Sequence, residues 1–164
     1  MRPSTQRVIL PGLLVLALLG CQEQGPAPLL EDHSRAALVA LAQSYHVQAD
    51  MALEAEHPEL AEAAMRELID ALHDAGRSNQ TAWELELDAS TRLSRLLLER
   101  GDAAAALAEM ERVLADGNSL GDNIFVGYAH QVRGDCLRAL GRAAEAIEAH
   151  KQAILIFKRL LEQP

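Results

Sequence analysis

The hydrophobic positions of this chain recur every three or four residues over most of its length. Beyond residue 32 the apolar residues follow the 3.6-residue period of amphipathic helices. No stretch alternates between apolar and polar residues, as a half-buried strand would. Ala and Leu dominate the composition, and both residue types favour helix. The pattern therefore predicts an all-α fold.

Helix-breaking and capping residues divide this pattern into six helices in three antiparallel pairs. Pro58 suits the first turn of a helix, and Gly76, Gly101 and Gly141 follow apolar runs, where a helix commonly ends. Thr81 begins a segment with capping-box spacing. The predicted helices span residues 32–56, 58–74, 81–100, 102–117, 122–140 and 142–161, with Asp102 capping the fourth and Asp122 or Asn123 opening the fifth.

The N-terminus has the features of an export signal. Arg2 and Arg7 precede an apolar run from Val8 to Leu19. As a helix this run would span about 18 Å, which is too short for a hydrocarbon core of about 30 Å. We therefore interpret residues 1–20 as a signal peptide rather than a transmembrane anchor.

The end of this apolar run resembles the lipobox of bacterial lipoproteins, in the residues Leu18-Leu19-Gly20-Cys21. The resemblance implies cleavage before Cys21 and acylation of that residue, and several acyl chains anchor a protein stably to a membrane. Because Gln22 rather than Asp follows the cysteine, we expect the periplasmic face of the outer membrane, with the inner membrane less favoured. Residues 21–31, with two prolines and a glycine, are predicted to form a tether to a helical domain of residues 32–164. An ordinary signal peptide with a chance cysteine is the alternative.

The helix pairs repeat with a period of 40 to 42 residues. Gly101 and Gly141 are 40 residues apart, and each precedes an Ala followed by apolar residues at matching positions. These segments resemble the tetratricopeptide repeat, and the matching residues are Ala64-Met65, Leu68 and Ala71-Leu72, then Ala106-Leu107, Met110 and Val113-Leu114, then Ala146-Ile147, His150 and Ala153-Ile154. The resemblance implies a short right-handed solenoid of three stacked helix pairs, with Ala52, Ser94 and Gly134 where paired helices cross. A generic six-helix bundle is the alternative.

Charge and motif content exclude several function classes. The formal net charge of −9 argues against nucleic-acid binding, which needs a basic face. The chain has no glycine-rich phosphate loop and no zinc-type spacing of histidines. Asp50, Glu54 and His57 share a helix face, which we interpret as solvated rather than metal-binding. No enzymatic activity, cofactor or metal is predicted.

The resemblance implies that the first helix of each pair lines the concave side of the solenoid. Such a surface suits an extended peptide or a helix of another envelope protein, and the sequence therefore favours a lipoprotein adaptor. A substrate-binding or enzymatic lipoprotein with a pocket between helices is the second interpretation, and a plain surface without a groove is the third. The predicted concave residues are His46, Ala49, Leu53, Glu56, Asp88, Thr91, Arg95, Leu98, Glu99, Tyr128, Gln131, Asp135 and Arg138.

Two further predictions concern the last helix and Cys136. Helical spacing leaves Leu155 and Ile156 without a place in the core, which predicts a docking surface for a partner or a second copy. With Cys21 acylated, Cys136 has no disulfide partner within the chain and is predicted to be a small buried residue. A reactive thiol or an intermolecular disulfide is the alternative. The predicted core stripe of the last helix is Ala143, Ala146, Ile147, His150, Ala153, Ile154, Phe157 and Leu161.

Overall fold

A computed structural model of the chain describes residues 28–76, 79–117 and 120–163. The predicted signal peptide, Cys21 and most of the predicted tether lie outside these residues. The described part contains no strand and six helices, which are α1 (Pro28–Glu54), α2 (Pro58–Asp74), α3 (Gln80–Glu99), α4 (Ala103–Gly117), α5 (Ile124–Ala139) and α6 (Ala143–Glu162). None of these helices is long and apolar enough to cross a membrane. The predicted all-α fold is confirmed.

The six helices stack in the order of the chain. Each helix packs against the next one, and α3 also packs against both α1 and α5. The odd-numbered helices thus form one continuous layer, while α2, α4 and α6 make their contacts through that layer. This arrangement is the stacking of a short tetratricopeptide-like solenoid.

The helix ends follow the predicted signals with two corrections. Asp102 and Asn123 cap as expected, because their Oδ1 atoms accept hydrogen bonds from the backbone N–H of residues 105 and 125 at 3.1 and 2.8 Å. The predicted capping box at Thr81 is wrong, since Asn79 accepts from the backbone N–H of residue 82 at 3.2 Å and starts α3 earlier. Helix α1 begins at Pro28, within the expected tether, because proline is tolerated in the first turn.

The turn of the first pair differs from the other two. Gly101 and Gly141 close the second and third pairs with positive φ angles of 91° and 75°. The first pair has no glycine at this place, and Glu56 adopts a φ of 60°. A left-handed conformation costs a non-glycine residue about 1–2 kcal/mol. Glu56 therefore faces solvent in a strained turn rather than on a helix surface.

Small residues allow the paired helices to approach closely, as predicted. Ser94 is fully buried, and its Oγ donates a hydrogen bond to the carbonyl oxygen of Ala106 on α4 at 3.2 Å. A Cβ atom at Gly134 would lie 2.7 Å from Nε2 of His150 on α6. Cys136 is fully buried as predicted, and burial raises the pKa of its thiol to about 11.

Helix α6 buries a different stripe from the predicted one. The stripe that packs against α5 consists of Ala146, Ala149, Ala153 and Ile156, because small residues permit the closest approach of two helices. The prediction that Ile156 is exposed is therefore wrong, whereas Leu155 is exposed as expected. Of the predicted core stripe, Ala146 and Ala153 are buried as expected, whereas Ala143, Ile147, Ile154 and Leu161 are exposed.

Candidate functional site

A groove of about 500 Å³ lies between α1 and α3. Six of the residues predicted for the concave surface line it, and they come from two helices that are distant in the chain. Arg92 and Leu96 also line the groove and were missed, although each lies one helical turn from a predicted residue. The predicted lining residues are His46, Leu53, Asp88, Thr91, Arg95 and Glu99.

Arg92 holds one wall of the groove in place. Its Nη1 donates a hydrogen bond to Nδ1 of His46 at 3.1 Å, and its Nη2 donates to Oδ1 of Asp50. Because arginine only donates, Nδ1 of His46 accepts and the ring proton is assigned to Nε2. That Nε2 atom lies 3.2 Å from Oδ2 of Asp88, but it is shielded from solvent and its geometry falls short of a hydrogen bond.

Thr91 supplies an unsatisfied hydroxyl to the same groove. Its side chain is only 4% exposed, and among the described residues its Oγ1 has no hydrogen-bond partner. A buried hydroxyl without a partner costs about 1–3 kcal/mol, so native structures rarely keep one without a reason. The oxygen is shielded from solvent in this structure, so a ligand in the groove would remove this cost only when the side chain of Thr91 turns towards it.

The remaining residues predicted for the concave surface do not line the groove. Ala49 is fully buried in the core, so its prediction as a surface residue is wrong. Leu98 packs partly buried against the core, and Glu56 stands in the turn after α1. The four predicted residues of α5 lie one repeat further along the solenoid, and they are Tyr128, Gln131, Asp135 and Arg138.

The α5 residues are engaged with one another and with α6. The ring of Tyr128 packs against Phe157 of α6, with centroids 5.4 Å apart and an interplanar angle of 60°. Asp135 accepts a hydrogen bond from Nη2 of Arg138 at 3.1 Å and lies 3.8 Å from Nε2 of His150. The predicted concave surface is thus divided into a groove between α1 and α3 and a separate surface on α5.

A second cleft of about 440 Å³, unexpected from the sequence, lies between α2 and α4. Arg112 crosses its floor and donates hydrogen bonds to Glu86 at 2.9 Å, to Ser90 at 3.2 Å and to both oxygens of Glu109 at 2.7 and 3.1 Å. Glu86 is almost fully buried. These charges compensate one another within the fold, so we assign the cluster to stability.

The hydrogen bonds of this cluster shift the pKa of Glu109 and the pKa of Arg112. Burial alone would raise the pKa of Glu109, but the hydrogen bonds from Arg112 and Ser90 outweigh burial and hold the pKa below its ordinary value. The hydrogen bonds that Arg112 itself donates to Glu109 raise the pKa of Arg112. Both residues therefore remain charged at neutral pH.

The acidic and histidine side chains of the described helices and turns are not grouped as metal ligands. Within residues 28–76, 79–117 and 120–163, no group of three or more His, Cys, Asp or Glu side chains is placed to hold a metal ion. Asp50 pairs with Arg92, and Nδ1 of His57 lies 3.1 Å from Oε1 of Glu59.

Comparison with known proteins gives a family but no individual relative. The family model described as a tetratricopeptide repeat-like domain matches residues 29–160. This match covers most of the chain and all three helix pairs. Comparisons with curated proteins and with solved structures find no match.

Proposed function

Because the chain belongs to the family of tetratricopeptide repeat-like domains, we propose that it is a membrane-anchored periplasmic adaptor that binds a segment of another envelope protein. Domains of this family generally serve as scaffolds for protein interactions. The observation that carries the proposal is the groove between α1 and α3, which six predicted residues line, among them Thr91 with its unsatisfied hydroxyl.

The shape and lining of this groove suit a peptide better than a small molecule. The groove is open to solvent, whereas small-molecule sites bury most of their ligand. Leu53 and Leu96 offer apolar contact, and Arg95 and Glu99 place opposite charges one helical turn apart. The expected ligand is an extended peptide with an apolar side chain between polar groups, whose backbone supplies the partner for Thr91.

The Thr91→Val substitution is expected to separate binding from stability. It removes the unpartnered hydroxyl and keeps the shape of the side chain, so the free energy of unfolding should rise by about 1 kcal/mol. Peptide binding should weaken, because the bound segment loses its hydrogen-bond partner. Denaturant unfolding measures the first effect.

Binding can be followed with a photo-crosslinking residue placed at position 95 in the intact membrane-bound chain. The adduct should form there, should decrease in the Thr91→Val background, and should be absent with the crosslinker at the exposed position 152. Ser94→Ala is the matched stability control, because its hydroxyl is hydrogen-bonded and its loss should destabilise the fold. Equal crosslinking at positions 95 and 152 would contradict a groove-specific ligand.

The proposed anchor rests on Cys21, which lies outside the described residues. Cys21→Ser should block acylation, so the precursor should remain uncleaved or the chain should leave the lipid-anchored fraction. Detergent phase partitioning and intact mass of the chain expressed in a bacterium measure this outcome. Conversely, Cys136→Ser should leave acylation unchanged. A wild-type mass without an acyl increment would rule out the anchor and leave the groove proposal intact.

A further inference from the structure

The exposed large apolar side chains of the described residues lie only on the first and last helix pairs and in their turns. The middle pair, α3 and α4, exposes none of them. The first pair exposes Val47 and Met51 on α1, and the last pair exposes Ile147, Ile154 and Leu161 on α6, spaced by seven residues. Apolar exposure is therefore a property of the two ends of the solenoid.

The 40- to 42-residue period shows what these positions do inside the solenoid. Met65 on α2 and Leu107 on α4 are equivalent to Ile147, and both are buried, at 0% and 5% exposure, beneath the following helix pair. Ile147 itself is 56% exposed, because no described helix follows α6. Leu72 is likewise buried where its equivalent Ile154 is exposed. We call this surface of α6 the trailing face.

The opposite end shows the complementary surface. Val47 on α1 is 56% exposed, whereas its equivalents Ala89 on α3 and Ala129 on α5 are fully buried against the preceding pair. Met51 is 64% exposed, whereas its equivalent Leu93 is buried. We call this surface of α1 the leading face. Each of the two internal stacking interfaces joins a trailing face to a leading face.

We propose that the trailing face of one copy of this chain binds the leading face of a second copy. In this contact α1 of the second copy packs across α6 and α5 as α5 packs across α4 and α3. The contact continues the stacking interface that the chain already forms twice. It is heterologous, so it builds open chains of copies rather than closed dimers.

Charge at the edges of the two faces supports a second copy as the occupant. Lys151 and Lys158 are exposed beside the trailing face, and Glu54 is exposed beside the leading face. At the equivalent internal contact Arg133 of α5 lies 3.6 Å from Glu111 of α4, which correspond to Met51 and Lys151. The exposed lysines at one end and the exposed glutamate at the other therefore favour contact between the two ends, although Lys151 also lies 3.6 Å from Glu148 on its own helix.

Crosslinking in membranes tests the geometry with the full-length chain. By the repeat equivalence, Met51 of one copy should lie beside Lys151 of the next, as Arg133 lies beside Glu111. Two differently tagged chains, one with Met51→Cys and one with Lys151→Cys, should give a dimer with a short bismaleimide. Wild type reports background from Cys21 and Cys136, and Gln152→Cys is the control on the far side of α6.

Each substituted chain alone should give no dimer, because a heterologous contact never joins position 51 to 51 or 151 to 151. Crosslinks between like positions would show a two-fold dimer and overturn the proposal. Absence of crosslinks in the mixture would also overturn it and leave the trailing face to a different protein or to lipid.

A charge introduced into the trailing face should abolish the contact, and this gives a second test of the proposal. Ile154→Glu in the Lys151→Cys chain should abolish the mixed dimer, while Gln152→Glu should not, because Gln152 is exposed on the far side of α6. Thr91→Val should leave the dimer unchanged, so failure of the groove and failure of this contact are distinguishable. A dimer that persists in the Ile154→Glu chain would contradict the proposal.

Discussion

Replacing Arg112 by methionine is expected to destabilise the fold by about 3–5 kcal/mol, since this change leaves a buried charge without its partner. Arg112 donates hydrogen bonds to Glu86, Ser90 and Glu109. Glu86 is only 3% exposed, so its carboxylate would lose the guanidinium at a site that is largely shielded from water. Thermal and denaturant unfolding measure the loss.

The chain offers a matched control for this prediction. Arg142 forms a similar pair with Glu145, with contacts of 2.6 and 2.7 Å, but both side chains are exposed. Arg142→Met should therefore cost less than about 1 kcal/mol. Adding Glu86→Met to Arg112→Met should recover most of the loss, because no buried charge then remains unpaired. Equal costs at positions 112 and 142 would contradict the assigned role of the cluster.

Lowering the pH should reduce the difference in the free energy of unfolding between wild type and the Arg112→Met variant. The pKa of Glu109 in the folded chain is lower than its ordinary value. A carboxylate of this kind adds stability above its unfolded pKa, and that stability is lost as pH falls through the folded pKa. Unfolding measured from neutral pH downwards should show the two curves converging below the ordinary range of glutamate. If the free energies of unfolding of the two proteins stay the same distance apart at every pH, the ionised form of Glu109 does not depend on Arg112 for its stability.

The second large effect is expected at Gly127, where α5 meets α6. A Cβ atom there would lie 2.9 Å from Cζ of Phe157, a half-buried ring that also packs against Tyr128. Gly127→Leu should overpack this crossing and cost about 3 kcal/mol. Gly127→Ala should also destabilise the fold, because the displaced ring outweighs the helix preference of alanine, which is about 1 kcal/mol.

Gly134 provides the comparison on the same helix. A Cβ atom there meets the ring of His150, whose side chain is 36% exposed and can turn towards solvent. Gly134→Ala should therefore be nearly neutral, and Gly134→Leu should cost about 1–3 kcal/mol. Pairing Gly127→Ala with Phe157→Leu should restore stability in a double-mutant cycle. If the cycle shows no coupling, Phe157 is not what makes Gly127 necessary.

The turn residues and apolar periods of this sequence were sufficient to predict six helices and the family. Local signals sufficed because caps, turn glycines and 3.6-residue spacing act within a few residues of the chain. The small crossing residues Ser94 and Gly134 were also predicted, since the 40-residue period aligned them. Several residues that line the groove were predicted to share one surface, because the family resemblance indicated which helices face the concave side.

The tertiary structure decided which of two neighbouring apolar stripes α6 buries. Both stripes satisfy the same helical period, and only the close approach of α5 selects the alanines and Ile156 over Ile147 and Ile154. The ion-pair partners of Arg92 and Arg112 could not be predicted from the sequence either, because Asp50 and Glu86 lie 42 and 26 residues away in the chain. Sequence by itself determined the helices and their repeat. Packing between helices determined the charge pairs, the unsatisfied hydroxyl of Thr91 and the two apolar ends, because each depends on contacts that no local pattern records.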